Sequence, residues 1–205
     1  GDGGLGVEAV LNRPEGIAIG QNGVIFIADK MNDRIRRVDP GDGTIVTVVG
    51  GGEIRDNGDV GLSTEVNLSY PHGLFFGGDG FLYFTTSLDN MVYKCDLSTS
   101  IITKVAGKGR SYDDHFQGDG GKDVDAWLGS PQDVYAYSDG TLLIADGKHH
   151  RIRRIGADGT ISTIAGSGPF EQDAGDFSGD GGLAVKDNLN LPSGLAADEK
   201  GNIFI

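Results

Sequence analysis

Cysteine is almost absent from this sequence: Cys95 is the only one among 205 residues, so no disulfide can form within the chain. Basic residues are also few, since 17 Lys and Arg stand against 30 Asp and Glu and the formal net charge is −13. A surface of that sign repels phosphate backbones, so we expect no nucleic-acid partner. Long apolar runs and a charged-then-apolar leader are missing as well, and we expect neither a membrane span nor a signal peptide in this segment.

Glycine, by contrast, is abundant, and its 36 residues are spread along the chain as in proteins with many turns. A G-D-x-G tetrapeptide occurs four times, and a proline follows each one at the same distance. The four tetrapeptides begin at Gly1, Gly58, Gly118 and Gly179, and the prolines are Pro14, Pro71, Pro131 and Pro192. Features that recur together in one register predict a repeated structural unit of about 60 residues.

Each unit contains four short runs of β-branched and apolar residues. In the first unit they read GIAIG, VIFIAD, RIRRVD and TIVTVVG, with QNG and PGDG as turn sequences between them. Such runs, bounded by Gly, Asn, Asp and Pro, are typical of antiparallel strands joined by hairpins. Four strands in every repeat predict an all-β fold, a β-propeller of four-stranded antiparallel blades. No long segment has the 3.6-residue period of a helical solenoid.

The repeat also predicts how the chain is divided. The blade repeats span about 14–50, 71–107, 131–166 and 192–205, and the G-D-x-G connectors span 1–13, 51–70, 108–130 and 167–191. The fourth repeat stops within a strand. Because propellers have about 4–8 blades, we expect this segment of about three and a half blades to be an incomplete piece of a longer protein.

The same motifs resemble the NHL-repeat family. The matching segments of the first unit are Pro14 to Ala18, Val24 to Asp29, Asn32 to Val38 and Thr44 to Gly50, and the third unit repeats most of them. The second unit departs from the pattern, because Thr86 replaces the aspartate and DNMVYK replaces NDRIRR. The resemblance implies a β-propeller of about six blades in the whole protein, and it does not imply one activity, since propellers support unrelated functions.

The G-D-x-G aspartates allow two interpretations. Asp accepts backbone N–H bonds at helix N-caps, so Asp2, Asp59, Asp119 and Asp180 are predicted to cap short helical turns such as Leu5–Leu11 and Leu183–Leu189. The alternative is calcium, which takes 6–8 oxygen ligands. Its candidate ligands are Asp113, Asp119, Asp123 and Asp180, although no D-x-D-x-D-G run is present. We expect no cofactor, with Ca²⁺ as the exception to be tested.

The residue after each repeat proline opens the first strand, which is the innermost strand of a propeller blade. These residues are Glu15, His72, Gln132 and Ser193, and they are predicted to ring one mouth of the central channel. The amidating lyases of the NHL family bind catalytic zinc through histidine in a Pro-His context, and Pro71-His72 matches that context. Catalytic zinc needs three protein ligands, however, and Glu15 is the only other acceptable donor of the four. A polar channel rim is therefore the preferred interpretation.

Arginines recur in the third strand of the first and third units. They are Arg34, Arg36 and Arg37 in one and Arg151, Arg153 and Arg154 in the other. Some NHL propellers bind RNA through a basic face, but the negative net charge disfavours that role. We predict instead that these arginines form ion pairs with Asp29, with Asp146 or with acidic connectors of adjacent blades, because a guanidinium suits partly buried pairs. His149 and His150 are predicted to lie in a turn at the blade edge.

Catalytic residue types do not converge anywhere in the sequence. We therefore expect a non-catalytic propeller scaffold for contacts with a protein, with a glycan, or with further copies or blades of the same larger protein. Asn67-Leu68-Ser69 is an N-glycosylation acceptor pattern, which favours an extracellular or cell-surface location. The alternative is a metal-dependent enzyme of the channel mouth, lyase-like or hydrolase-like, with its site near His72.

Overall fold

The computed structural model describes residues 1–54, 60–110, 116–167, 179–198 and 200–205. All regular structure in these ranges is β-strand or short 3₁₀ turn. The first sheet contains β1 (Pro14–Ile19), β2 (Ile25–Asp29), β3 (Arg34–Val38) and β4 (Ile45–Gly50). The second contains β5 (Val60–Leu62), β6 (Pro71–Phe76), β7 (Phe81–Thr86), β8 (Met91–Asp96) and β9 (Ile101–Ala106). The third contains β10 (Pro131–Ala136), β11 (Leu142–Asp146), β12 (Arg151–Ile155) and β13 (Ile161–Ala165). A two-stranded sheet of β14 (Ala196–Ala197) and β15 (Ile203–Phe204) follows.

Neighbouring strands in each sheet are antiparallel and follow chain order, as in propeller blades. The predicted all-β propeller fold of antiparallel blades is therefore confirmed. The second sheet departs from the expected four strands, because β5 pairs with the outer side of β9. This fifth strand comes from a connector, so the connector backbone supplies an edge strand that the sequence pattern did not predict.

The other connectors follow the same path along the outer edge of a blade. Gly3 donates its N–H to the carbonyl of Ile45 in β4 at 2.8 Å, and Gly120 donates to the carbonyl of Ile161 in β13 at 2.8 Å. Ile161 in turn donates to the carbonyl of Gly121 at 3.0 Å. The first three connectors thus cover the edge of the fourth strand in the unit that follows them, where unpaired backbone groups would otherwise invite aggregation.

The predicted helical turns are present but shorter than expected. They are 3₁₀ turns of three residues each, at Gly6–Glu8, Asp123–Asp125 and Ala184–Lys186, and no side chain bonds to the backbone at their N-caps. The remaining 3₁₀ turns lie between strands, at Gln21–Gly23, Lys30–Asn32 and Gly147–His149. Within the described ranges no helix is long and apolar enough to cross a membrane.

The blades pack face to face through two apolar clusters. The cluster between the first and second sheets includes Phe26, Ile35 and Phe84, and the next cluster joins Val92 to Ile144 of the third sheet. Inner strands approach so closely that a Cβ atom on Gly16 would overlap the carbonyl oxygen of His72. Gly16, the last residue of the P-x-G motif Pro14-Glu15-Gly16, therefore allows the first two inner strands to lie close together.

Candidate functional site

Three of the four predicted rim residues lie on neighbouring inner strands and approach one another. Nδ1 of His72 is 2.9 Å from the carbonyl oxygen of Gln132 on the neighbouring inner strand. Nε2 of His72 is 3.9 Å from Oε2 of Glu15, on the inner strand of the first blade. Lys30 Nζ lies 3.2 Å from Oε1 of Glu15 and neutralises part of its charge. Residues from three consecutive blades thus meet here, and we call them the rim cluster: Glu15, Lys30, His72 and Gln132.

Electrostatics favour a neutral imidazole at His72. Burial is the main cause that lowers the pKa of His72, and the charge of Lys30 lowers it further, while the Gln132 carbonyl and Glu15 act in the opposite direction. A carbonyl oxygen can only accept, so Nδ1 carries the proton and Nε2 keeps its lone pair. Nε2 is therefore chemically able to ligate a metal ion, with Glu15 as the neighbouring donor.

The rest of the rim does not complete a metal site. The amide of Gln132 is held by Ser130, whose carbonyl oxygen and Oγ accept its Nε2 protons at 2.7 and 2.9 Å. Ser193 is exposed and lines an open surface pocket with Leu191 and Phe204. Across the part of the chain that the structure describes, no group of three or more His, Cys, Asp or Glu side chains could hold a metal ion.

Sequence reasoning missed one acid of the inner strands. Asp133 occupies the position that is glycine in the other three units. Its Oδ1 accepts the N–H of Val134 and its Oδ2 accepts the N–H of Leu195 in the next unit, both at 2.9 Å. Burial raises the pKa of Asp133, and the two N–H bonds offset part of that rise. The replacement of the P-x-G glycine by aspartate could have identified this position from the sequence. The Asp133 carboxylate links the third inner strand to the fourth unit.

Asp2 and Asp119 of the G-D-x-G motifs do not cap the short turns that follow them, so the capping interpretation was wrong for these two residues. Asp119 Oδ1 accepts a hydrogen bond from Arg153 Nη2 at 2.8 Å, and Asp2 accepts one from Arg36 Nη2 in the equivalent place. The N-cap of the turn in the third connector is instead Lys122. Connector aspartates therefore anchor to the third strand of their own blade.

Arg36 and Arg153 form the predicted ion pairs with Asp29 and Asp146. The expected pairing with connectors of adjacent blades was wrong for them, because Asp2 and Asp119 belong to the connectors of their own units. Arg153 is fully buried, and its Nη1 donates to Oδ2 of Asp146 at 3.2 Å. His149 Nδ1 donates to the same oxygen at 2.9 Å, and the Gly129 N–H donates to the other at 2.6 Å. Each such blade therefore contains a buried aspartate with an arginine that reaches outward to the connector. The first blade repeats the arrangement with Arg36, Asp29, Asn32 and Asn12.

The second blade replaces the whole network at once. Thr86 stands where the buried aspartate would be, and Tyr93 stands where the arginine would be. The Tyr93 ring stacks on Phe84 with centroids 5.6 Å apart, and its hydroxyl lies 2.7 Å from the sulfur of Met91. An aromatic cluster thus fills the space of the ion pairs, which explains why this unit departs from the family pattern at both positions together.

A second repeated bond fastens each blade to the next. In each of the three blades, one residue in the left-handed conformation lies between the second and third strands. Its side chain accepts the backbone N–H of the residue just before the repeat proline of the next unit. Asp33 accepts from Tyr70 at 3.0 Å, Asn90 from Ser130 at 2.7 Å, and His150 from Leu191 at 3.0 Å. We call these three bonds the blade clasps. His150 was predicted to lie in a turn, and its role as an acceptor across blades depends on the tertiary structure.

The calcium candidates are scattered. The carboxylate of Asp119 is engaged by Arg153, and burial raises the pKa of Asp123, whose Oδ1 accepts the N–H of Val124. Asp180 is exposed. Asp59 and Asp113 lie outside the described residues. The described acids therefore form no convergent set of oxygen ligands. Calcium binding remains a prediction for which the described residues provide no site.

The glycosylation candidate lies at the surface of the second connector. Asn67 is half-buried and lies between the buried residues Val66 and Leu68. Its backbone N–H donates to the carbonyl of Ile54 at 2.7 Å. Glycosylation of Asn67 remains a prediction.

Comparisons with known proteins agree with this architecture. A family model described as the teneurin NHL domain matches residues 1–57. Mouse teneurin-1 is 30% identical over 223 residues and mouse teneurin-3 is 33% identical over 227, in each case over 100% of this chain and 8% of the relative. The chain therefore spans only a small part of the length of these relatives.

A solved structure shows the same fold. A protein of unknown function from Bacteroides thetaiotaomicron superposes with a TM-score of 0.68 and 20% identity, over 94% of this chain and 44% of that one. At that identity the likeness concerns the fold alone. Together with the repeated motifs and the antiparallel blades, the match of residues 1–57 and the similarity of the whole chain to teneurins support an NHL-repeat β-propeller.

Proposed function

We propose that this propeller is a non-catalytic scaffold of a larger, extracellular protein and offers a rigid surface for contacts with a protein or glycan partner. One observation carries the proposal: a blade clasp joins each unit to the next at the same position. Partly buried hydrogen bonds of this kind hold neighbouring blades in one orientation, so loops at the blade ends are presented on a fixed frame.

The similarity to teneurins supports a binding role within a longer chain. The acidic surface, with a net charge of −13, favours partners that carry basic or neutral contact surfaces. The acceptor pattern at Asn67 supports the extracellular setting, because N-linked glycans are added to chains that enter the secretory pathway.

The test is a binding screen with the secreted protein. The chain, displayed as a tetramer, is applied to arrays of extracellular protein domains and of glycans, and we expect selective binding that persists in chelator. The Asn90→Leu variant, which removes a clasp, is expected to bind less than Asn90→Asp, which keeps an acceptor. No selective binding by the wild type on either array would contradict the proposal.

One observation favours the alternative of a metal-dependent enzyme: Nε2 of neutral His72 and a carboxylate oxygen of Glu15 lie 3.9 Å apart. Calorimetric titration with Zn²⁺ distinguishes the two functions. Stoichiometric binding that is lost in His72→Ala, but kept in a His149→Asn control, would support the enzyme. The scaffold function predicts no binding above that of the His72→Ala variant.

A further inference from the structure

The clasp between the third blade and the fourth unit is made by a titratable side chain. Nδ1 of His150 accepts the backbone N–H of Leu191 at 3.0 Å. An N–H group can only donate, so Nδ1 keeps its lone pair and the imidazole is neutral while this bond exists. His150 is completely buried, so water can replace the bond only if the contact between the two units opens. We call this contact the joint.

The two other clasps use side chains that remain acceptors in acid. Asn90 accepts the Ser130 N–H at 2.7 Å through an amide oxygen, which does not titrate. Asp33 accepts the Tyr70 N–H at 3.0 Å, and a carboxyl group retains acceptor capacity even when it is protonated. The backbone is the same at all three positions, with φ of 52°, 59° and 55° along the chain. Of these three clasps, only the one at His150 therefore loses its acceptor atom to a proton.

We propose that the His150 clasp is a pH-sensitive switch, in which a proton on Nδ1 breaks the bond to Leu191 and loosens the fourth unit from the third blade. The proton takes the lone pair that accepts the N–H, so two N–H groups then face each other in place of the bond. The imidazolium would also be a buried charge, which costs free energy until the joint opens to water.

The direction of the pH effect follows from proton binding in the closed and open joint. In the closed joint the Leu191 N–H occupies the lone pair of Nδ1. In the open joint the imidazole is hydrated and takes up a proton at the ordinary histidine pKa of about 6.5. The open state therefore binds more protons below about pH 6.5, and the stability of the closed joint falls as the pH decreases through that value.

Other charged groups lie on the elements around this clasp. They are Asp133, Asp146, Lys148, His149, Arg151, Arg153, Lys186 and Asp187. Asp133 acts in the opposite direction: it accepts the Leu195 N–H across the same joint at 2.9 Å, and burial raises its pKa, so its contribution to stability grows in acid. All of these groups remain in a variant that is altered at His150 alone, so the difference between that variant and the wild type reports His150.

The test compares the wild type with His150→Asn, because Asn90 shows that an amide makes the same clasp at this position of a blade. Hydrogen exchange of the Leu191 amide, corrected for the intrinsic effect of pH on exchange, measures the protection of the clasp at pH 7 and at pH 5. In the wild type we expect protection to fall about 10–25-fold, and about 25-fold is the largest change that one histidine of ordinary pKa gives between these two values. In His150→Asn we expect a change of less than about threefold.

The Ser130 amide is the internal control, since Asn90 holds it, and its protection should be nearly independent of pH in both proteins. Equal pH dependence of Leu191 protection in the wild type and in His150→Asn would overturn the proposal. The nitrogen resonance of Nδ1 in the wild type gives a second measurement that needs no variant, because it distinguishes a lone pair from a bound proton. Loss of Leu191 protection at pH 5 while Nδ1 keeps its lone pair would also overturn the proposal.

Discussion

Arg153 and Asp119 form an ion pair between a buried strand and a connector, with Nη2 2.8 Å from Oδ1. The guanidinium is completely buried, while the aspartate side chain is 38% exposed. The same arginine contacts Asp146 on its inner side. The sequence predicted that Asp119 caps a turn, but the ion pair with Arg153 instead attaches the connector to the blade. The effect of substituting Asp119 on stability should therefore depend on this ion pair.

Replacing Asp119 with Asn is expected to destabilise the protein. The amide offers one acceptor but no charge, so Arg153 loses part of its compensation, and we expect a loss of about 1–3 kcal/mol in the free energy of unfolding. Ala should cost at least as much. Urea unfolding of both variants measures this, with the exposed Asp180→Asn as a control expected within about 0.5 kcal/mol of wild type. Capping predicts instead that Asn matches wild type, and calcium predicts that chelator lowers Tm.

The clasp at Asn90 gives a second prediction. Asn90→Asp keeps an acceptor for the Ser130 N–H, as Asp33 does in the first blade, and should remain close to wild type. Asn90→Leu leaves that N–H unpaired and places a bulky side chain at φ 59°, so we expect a loss of about 2–4 kcal/mol. Hydrogen exchange at the Ser130 amide should accelerate in the Leu variant alone. Unchanged exchange there would mean that the clasp does not hold the blades.

The second blade allows a test of the coupled replacement. Tyr93→Arg by itself buries a guanidinium without the aspartate, and Thr86→Asp by itself buries a carboxylate without the arginine, so both should be strongly destabilising. The double variant restores the pair of the other blades. A double-mutant cycle should give a favourable coupling of about 0.5–3 kcal/mol. Additive losses would show that the two positions are independent.

Asp133 predicts a pH dependence of definite sign. Its folded pKa lies above the ordinary value of 3.8, so in the window just above 3.8 the folded state binds more protons than the unfolded state. The contribution of Asp133 to stability therefore rises as pH falls toward that window. We expect the stability of the wild type relative to Asp133→Gly to be greater at pH 5 than at pH 7. A difference that shrinks on acidification would contradict the burial of this carboxylate.

Local patterns were sufficient for much of the fold. Short apolar runs between turn residues predicted the strands, their order and their antiparallel pairing, because strand alternation and hairpin chemistry are encoded within a few neighbouring residues. The recurrence of Arg and Asp at fixed positions also predicted the ion pairs of Arg36 and Arg153. That Glu15, His72, Gln132 and Ser193 ring one mouth of a central channel remains a prediction. The structure shows that Glu15, His72 and Gln132 lie close together on neighbouring inner strands.

Other features were decided only by the tertiary structure. Asp119 is close in sequence to a turn it could cap, yet its charge is used by Arg153, 34 residues away, because a buried guanidinium gains more from a carboxylate than an exposed turn does. The acceptor role of His150, the edge strand Val60–Leu62 and the link from Asp133 to Leu195 likewise depend on which backbone groups the folded chain leaves unpaired. The sequence by itself determined the repeat and the strands. The packing of one blade on the next decided which polar groups satisfy one another, since that choice is made by distances between residues far apart in the chain.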